Sequence, residues 1–275
     1  MNWPRVKTIL IFLFLLVDIV LIASIIIPSV GMSRIPQETI ENTVAVLKAR
    51  GVEISPEIIP QKRESMGIAE LYNLWPDRGA LVKKIVGEQA QETDGIYKNG
   101  TKTLTVNESK FEYKNTAGDE NLAQELINMG IDVRENVYVQ GESTLRAWQA
   151  VEDKKIFEAE VYVSANGKEV AASGYWIFPD REGGIIKNTP DSLLDVTGVL
   201  IDFANNPIRE DKVKITAVET GYSTGTAYRD TQHKLVSVSP AYKISTDTGT
   251  YYVYDAFSGS FLYACKDGEI IQNNG

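Results

Sequence analysis

The stretch ENTVAVLKARGVEI, residues 41–54, is echoed 79 positions later by ENLAQELINMGIDV, residues 120–133, and the reading of this pair decides the fold. Both open on Glu-Asn, both place a leucine (Leu47, Leu126) and a glycine (Gly51, Gly130) in register, and both end in an apolar–acidic–apolar triplet. Ile40, Val44 and Leu47 recur at helical spacing, as do Leu122 and Leu126, so each segment predicts an amphipathic helix. The glycine suits a left-handed cap that stops the helix, with a strand directly after it. The expected organisation is an internal duplication of a helix-then-strand unit.

Working outward, a third helix is expected in TPDSLLDVTGVLIDFANN, residues 189–206, with Pro190 in its first turn and Leu193, Val196, Leu200 and Phe203 as the buried stripe. A short helix is expected in WPDRGALVKKIVGE, residues 75–88, with Asp77 near its start, Gly87 near its end and Lys83–Lys84 on a solvated face. After each repeat unit and the third helix the chain turns to β-branched and aromatic residues: 102–115, 155–178 and 212–222. Asn-Gly within ANGK, residues 165–168, signals a two-residue hairpin. The stretch SPAYKISTDTGTYYVYDAFSGSFLYA, residues 239–264, alternates Tyr242, Ile244 and Thr246, turns at DTG, alternates Tyr252, Tyr254 and Ala256, and turns again at FSG. It predicts a meander with one aromatic face, formed either as a core-facing sheet or, in the sharper reading, as a protein- or glycan-binding face carried by Tyr242, Tyr252 and Tyr254. Helices followed by antiparallel strands make the fold class α+β, each sheet packing one face on a helix.

The amino-terminal region has a different composition. Residues 8–30, TILIFLFLLVDIVLIASIIIPSV, contain sixteen Leu, Ile, Val or Phe between Ile9 and Ile27. Those residues favour insertion into a bilayer by about 5 to 10 kcal/mol, against about 3 kcal/mol for the one central acid, Asp18. A single transmembrane helix over 8–30 is therefore expected, followed by a linker over 31–37. Arg5 and Lys7 precede it and Arg34 alone follows closely, which places residues 1–7 in the cytoplasm and the main part outside the cell; Trp3, Arg5 and Lys7 suit the membrane interface. A cleaved signal peptide ending near Ser29–Gly31 is the rival reading, but the apolar run exceeds the usual signal core. Asp18, Ala23 and Ser24 are the polar or small residues in the span through which another helix could be recognised. Outside the membrane, lobes over 38–116 and 117–275 are expected, the second holding two helix-plus-sheet units.

Catalytic signals are sparse. The net charge of −9 argues against nucleic acid as a partner. One histidine, His233, and one cysteine, Cys265, cannot make a zinc site, and the acids lack calcium-loop spacing. No phosphate-cradling glycine loop is present. Cys265, within FLYACK, reads as a small buried strand residue rather than a reactive thiol. The one hydrolase-like string is GYSTG, residues 221–225, which would make Ser223 a nucleophile with His233 ten residues on. A polar loop and another strand are expected next, where a nucleophile elbow needs a helix. No catalytic, cofactor-binding or metal-binding residue is assigned.

The opening MNWPRVKTI running straight into a single span, ETGY before a polar loop, and the tyrosine-rich PAYKISTDTGTYYVYDAFSG together resemble the YycI family, and the closing sheet also resembles PepSY-type extracytoplasmic domains. The resemblance runs over most of the chain. It implies α+β extracytoplasmic lobes related to those of YycH. It further implies a non-enzymatic, membrane-anchored accessory protein that acts with a YycH-like partner on the WalK-type sensor histidine kinase of the WalK–WalR two-component system, which governs cell-wall homeostasis in low-GC Gram-positive bacteria. The alternative is a membrane-tethered PepSY-like module that binds peptides or cell-wall polymers.

Overall fold

The computed structural model describes residues 7, 11–18, 34–72, 78–107, 110–129, 136–140, 144–151, 153–175, 185–186, 191–225, 235–266 and 269–271. Its helices beyond residue 34 are α1 (Gln37–Ala49), α2 (Arg78–Ile85), α3 (Leu122–Asn128) and α4 (Val196–Asn205). The first strands are β1 (Val52–Glu53), β2 (Ser65–Met66), β3 (Ala69–Tyr72), β4 (Gln91–Thr93), β5 (Ile96–Asn99), β6 (Lys102–Asn107) and β7 (Lys110–Asn115). Next come β8 (Asn136–Gln140), β9 (Thr144–Val151), β10 (Lys154–Asn166), β11 (Glu169–Gly174), β12 (Ile185–Ile186) and β13 (Asp191–Ser192). The chain closes with β14 (Val213–Ser223), β15 (Leu235–Thr246), β16 (Tyr251–Asp255), β17 (Phe261–Lys266) and β18 (Glu269–Ile271). The class is α+β, as expected.

The first repeat unit forms as its residues predict. Ile40 and Leu47 bury on one face of α1, Glu38 and Lys48 sit at the ends that the helix dipole favours, and Gly51 leaves the helix at φ +77° directly before β1. A Cβ at Gly51 would lie 2.7 Å from the Asp211 carbonyl oxygen, so both the backbone sign and the packing require glycine there. In the second unit α3 forms with Asn121 as its cap, the side chain accepting from the Gln124 N–H at 3.4 Å. Gly130 and the triplet after it lie outside the described residues. The third helix starts later than its proline suggests. Asp191–Ser192 pairs with Ser65–Met66 as a two-stranded ladder, so α4 begins only at Val196, with the expected stripe of Val196, Leu200 and Phe203 buried.

One continuous sheet of 16 strands results, in two parts that each back onto their own core. β4, β5, β6, β7, β11, β10, β9 and β8 follow one another in that order, antiparallel throughout. One face of this middle sheet packs Leu104, Phe111, Val161 and Val170 against Val82 and Ile85 of α2 and Leu122 and Leu126 of α3. The β10–β11 hairpin turns on Gly167 and Lys168, with Asn166 opposite Glu169. The closing sheet runs β14, β15, β16, β17 and β18 antiparallel, with β1 added parallel beside β14. Its inner face packs on α1 and α4. The two parts meet where β10 runs parallel to β14, with Ile156 opposite Tyr222.

In place of an expected lobe boundary between residues 116 and 117, the cores divide the chain differently. α1 and β1 share a core with α4 and the closing sheet, whereas residues 82–172 supply the core of the middle sheet. Residues up to Leu71 of β3 still belong to the core of α1, residues from Val82 onward build the middle one, and Val151, Ile156 and Ala159 of β9 and β10 already contribute to the first core again before β11 completes the middle sheet. Sequence adjacency suggested that α1 covers the strands that follow it; parallel pairing of Val52 with Val213 carries it to the far end of the chain instead.

Candidate functional site: an exposed apolar helix and a closed carboxylate centre

Residues 11–18, IFLFLLVD, form a helix whose every side chain is exposed. Ile11 to Val17 are between 44% and 70% accessible. The eight described residues span about 12 Å, and a helix that is apolar all round belongs in lipid or against another apolar surface. None of its side chains joins the cores that begin at Ile35. Asp18 ends this described segment, exposed, with no hydrogen-bond partner among the described residues. Lys7 is exposed as well, while Trp3, Arg5, Ala23, Ser24 and the rest of the expected 8–30 span lie outside the described residues. Among the described residues no helix is long and apolar enough to cross a membrane. Downstream, Arg34 forms an antiparallel bridge to Lys62 and Ile35 N–H donates to the Gln61 carbonyl at 2.8 Å, which fixes the point where the chain enters the folded body.

The structure corrects the reading of the tyrosine row as a binding face. Tyr242, Tyr252 and Tyr254 are 4%, 1% and 1% exposed, beneath α1 and α4. Each has a partner at or beside α4. Phe203 of α4 meets the Tyr252 ring edge-to-face at 5.0 Å between centroids. The Tyr242 hydroxyl donates to the Leu194 carbonyl at 2.8 Å, ahead of α4, and the Tyr254 hydroxyl accepts from Asn206 Nδ2 at 2.9 Å, just past it. Burial pushes the Tyr242 and Tyr254 hydroxyls well above the ordinary tyrosine range. The row clamps a helix and presents nothing to solvent.

Ser223 occupies a different environment from a nucleophile. It ends β14, 3% exposed, whereas a nucleophile elbow lifts its serine clear of the sheet. Its hydroxyl donates to Glu158 Oε1 at 2.5 Å and accepts from the Gly225 N–H at 2.9 Å. Tyr263 donates to the same carboxylate oxygen at 2.5 Å, and the Thr224 N–H reaches Oε2 at 3.0 Å. Burial pushes the Glu158 carboxyl above the usual range, against the pull of these three donors. Gly221 of the same string serves packing: a Cβ there would lie 2.6 Å from the Lys155 carbonyl oxygen and 2.7 Å from the Phe157 ring. GYSTG thus fastens β14 to β10 around a buried acid. His233 lies outside the described residues. Cys265 is buried 3% exposed in the strand, beside Tyr263 and Val253, as expected.

Next to this centre the outer face carries a ladder of cations and rings. Lys155 Nζ reaches Glu219 at 2.8 Å and stands 4.5 Å over the Trp148 ring. Lys243 Nζ is 3.8 Å from the same carboxylate and 4.6 Å from the Tyr251 ring centroid. Burial lowers the Lys243 ammonium from its ordinary range despite Glu219. Glu219 is shared by both lysines, so the ladder is a part-buried structural network joining β9, β10, β14, β15 and β16. Glu158 was missed in sequence, although an acid inside IFEAEV, flanked on both strand faces by apolar residues, is its signature. Among the described residues no group of three or more His, Cys, Asp or Glu comes together to hold a metal. No protein-family model matches the chain, and no curated protein matches it.

Proposed function

We propose that this protein is a membrane-anchored accessory regulator whose folded body lies outside the cell and whose amino-terminal helix engages a sensor kinase of the WalK type together with a YycH-like protein. The observation that carries this reading is the helix over 11–18, with apolar side chains exposed on all sides and none of them used by the folded body. In the full sequence it is the described part of the apolar run over 8–30, whose length suits a bilayer core of ~30 Å. Arg5 and Lys7 set the amino terminus in the cytoplasm and, with Trp3, anchor the interface.

Lipid offers no hydrophobic drive between helices, so recognition of a partner falls to small or polar residues: Asp18, Ala23 and Ser24. A hydrogen bond from Asp18 to a hydroxyl, amide or cation on a neighbouring helix contributes about 0.6 to 2 kcal/mol. Regulation then consists of favouring one of two kinase states, by no more than the difference in affinity for them. Replacing Asp18 with Leu should leave membrane insertion and the outer fold intact while lowering the amount of kinase and YycH-like protein that co-purifies from membranes several-fold. Unchanged co-purification would sink the reading. Exchange of the whole run for poly-leucine should abolish regulation as well.

A further inference from the structure

The middle sheet has two faces, and among the described residues helices cover only one. On the other, Ala171 and Ser173 of β11 form a floor between two ridges. Ser173 stands level with Glu112 of β7 on one side and with Tyr162 of β10 on the other. Ala171 stands level with Lys114 and Ser164. Strands are ~4.8 Å apart, so the ridges are separated by about 10 Å, and the hollow between them encloses about 430 Å³. Thr103 and Thr105 of β6 extend the wall beside Glu112 and Lys114.

We infer that this hollow is a seat for an uncharged glycan strand. Its one prominent ring, Tyr162, is 48% exposed yet held in place. Arg146 donates to the Tyr162 hydroxyl at 2.9 Å and lies 5.0 Å over the ring, and that hydroxyl donates to Glu160 at 3.0 Å. A ring fixed in this way and half-exposed beside the hollow suits the apolar face of a sugar ring, at little cost in ordering. Opposite it stand hydroxyls and a carboxylate, which exchange hydrogen bonds readily with sugar hydroxyls.

Charge narrows the occupant. Lys114 is paired with Glu169 at 2.7 Å and Arg146 with Glu160 at 2.6 Å. Glu112 is the one ionised side chain of the hollow without an ion-pair partner among the described residues, so the hollow offers a polyanion no attraction. An extended peptide adds to sheet edges through its backbone and needs pockets for alternate side chains; this floor is smooth, built from Ala171 and Ser173, and offers none. A neutral polyhydroxyl chain meets all three conditions. The inference rests on this sheet face alone and stands apart from the role of the amino-terminal helix.

The test is calorimetric titration of the full chain in lipid nanodiscs with two uncharged probes, chitohexaose and cellohexaose. Saturable binding of at least one is expected. Tyr162→Ala should weaken it at least tenfold and Glu112→Gln several-fold, and Ser173→Trp, which fills the hollow, should abolish it. The Ser173 variant leaves the Arg146–Glu160–Tyr162 contacts in place, so it still decides the matter if Tyr162→Ala unfolds the sheet. No binding of either probe, binding indifferent to Ser173→Trp, or tighter binding of polyphosphate or of an oligolysine peptide would each overturn the inference. Kinase co-purification is unaffected by all of these outcomes.

Discussion

Two glutamates, Glu125 and Glu158, are buried with no cation bonded to them among the described residues, and they differ in the hydrogen bonds they receive. Burial pushes Glu125 upward, but donors from Tyr113 at 2.6 Å, Asn115 at 2.9 Å, the Asp119 N–H at 3.0 Å and Asn128 at 3.3 Å hold it below the usual carboxylate range. Three donors do not offset the burial of Glu158, which stays above that range. Linkage turns these directions into opposite slopes. Glu125, with a depressed folded value, contributes stability that is present above the unfolded pKa and lost as pH falls through the folded one. Glu158, with a raised folded value, contributes stability present below the unfolded pKa and lost as pH rises through the folded one. Urea midpoints across roughly pH 3 to 8 should therefore show Glu125→Gln flattening the acid limb and Glu158→Gln flattening the decline above it. Glu125→Ala should destabilise by about 3 kcal/mol, since it leaves two buried donors and a backbone N–H without an acceptor.

At the scale of elements, α1 and α4 are held where their carboxyl ends converge. Arg209 donates to the Arg50 carbonyl at 3.2 Å, beyond α1, and to the Ala204 carbonyl at 3.2 Å, in the last turn of α4. The same guanidinium reaches the Glu210 and Asp211 carbonyls at 2.6 Å and 3.1 Å, and Arg50 hydrogen-bonds Asn205. One planar group thus satisfies carbonyls that helix ends leave open. Arg209→Ala should destabilise by about 2 kcal/mol, and Arg209→Lys should recover only part of that, because a point charge cannot span the four carbonyls. Gly51→Ala, forced to φ +77° and against the Asp211 oxygen, should lower stability by about 1 to 3 kcal/mol. Thermal unfolding checks all three. The helix, its glycine stop and the strand after it were legible in residues 41–54 because each follows from local chemistry. Arg209 was not legible, because the carbonyls it serves lie up to 159 residues away.

For the molecule as a whole, β10 is the shared member of two bodies. It pairs antiparallel with β9 and β11 in the middle sheet and parallel with β14 in the closing sheet. Lys154, Lys155 and Glu158 at its start knit the bodies together through Glu64, Glu219 and Ser223. The apolar helix at 11–18 belongs to neither core. A chain begun at Arg34 should therefore remain folded in aqueous buffer, with an unfolding midpoint within a few degrees of the full chain in nanodiscs and an unchanged far-ultraviolet spectrum. Loss of cooperative unfolding in that shorter chain would show that the helix contributes to the body after all.

What the residues determined alone is what depends on near neighbours: the helix and glycine stop at 41–54, a hairpin at ANGK (whose turn falls on Gly167–Lys168, one residue past the expected Asn-Gly pair), the alternation of the closing meander, and the α+β class that follows from them. Composition also identified the apolar run over 8–30, whose described part, 11–18, joins neither core. What only the tertiary structure decided is which face meets which. Tyr242, Tyr252 and Tyr254 alternate as a binding face would, yet α1 and α4 arrive from distant parts of the chain and bury them. Ser223 stands in a hydrolase-like string, yet its hydroxyl is taken by Glu158, 65 residues earlier. A strand's period of two states that it has two faces. Which of them is dry is set by long-range packing, which no local pattern encodes.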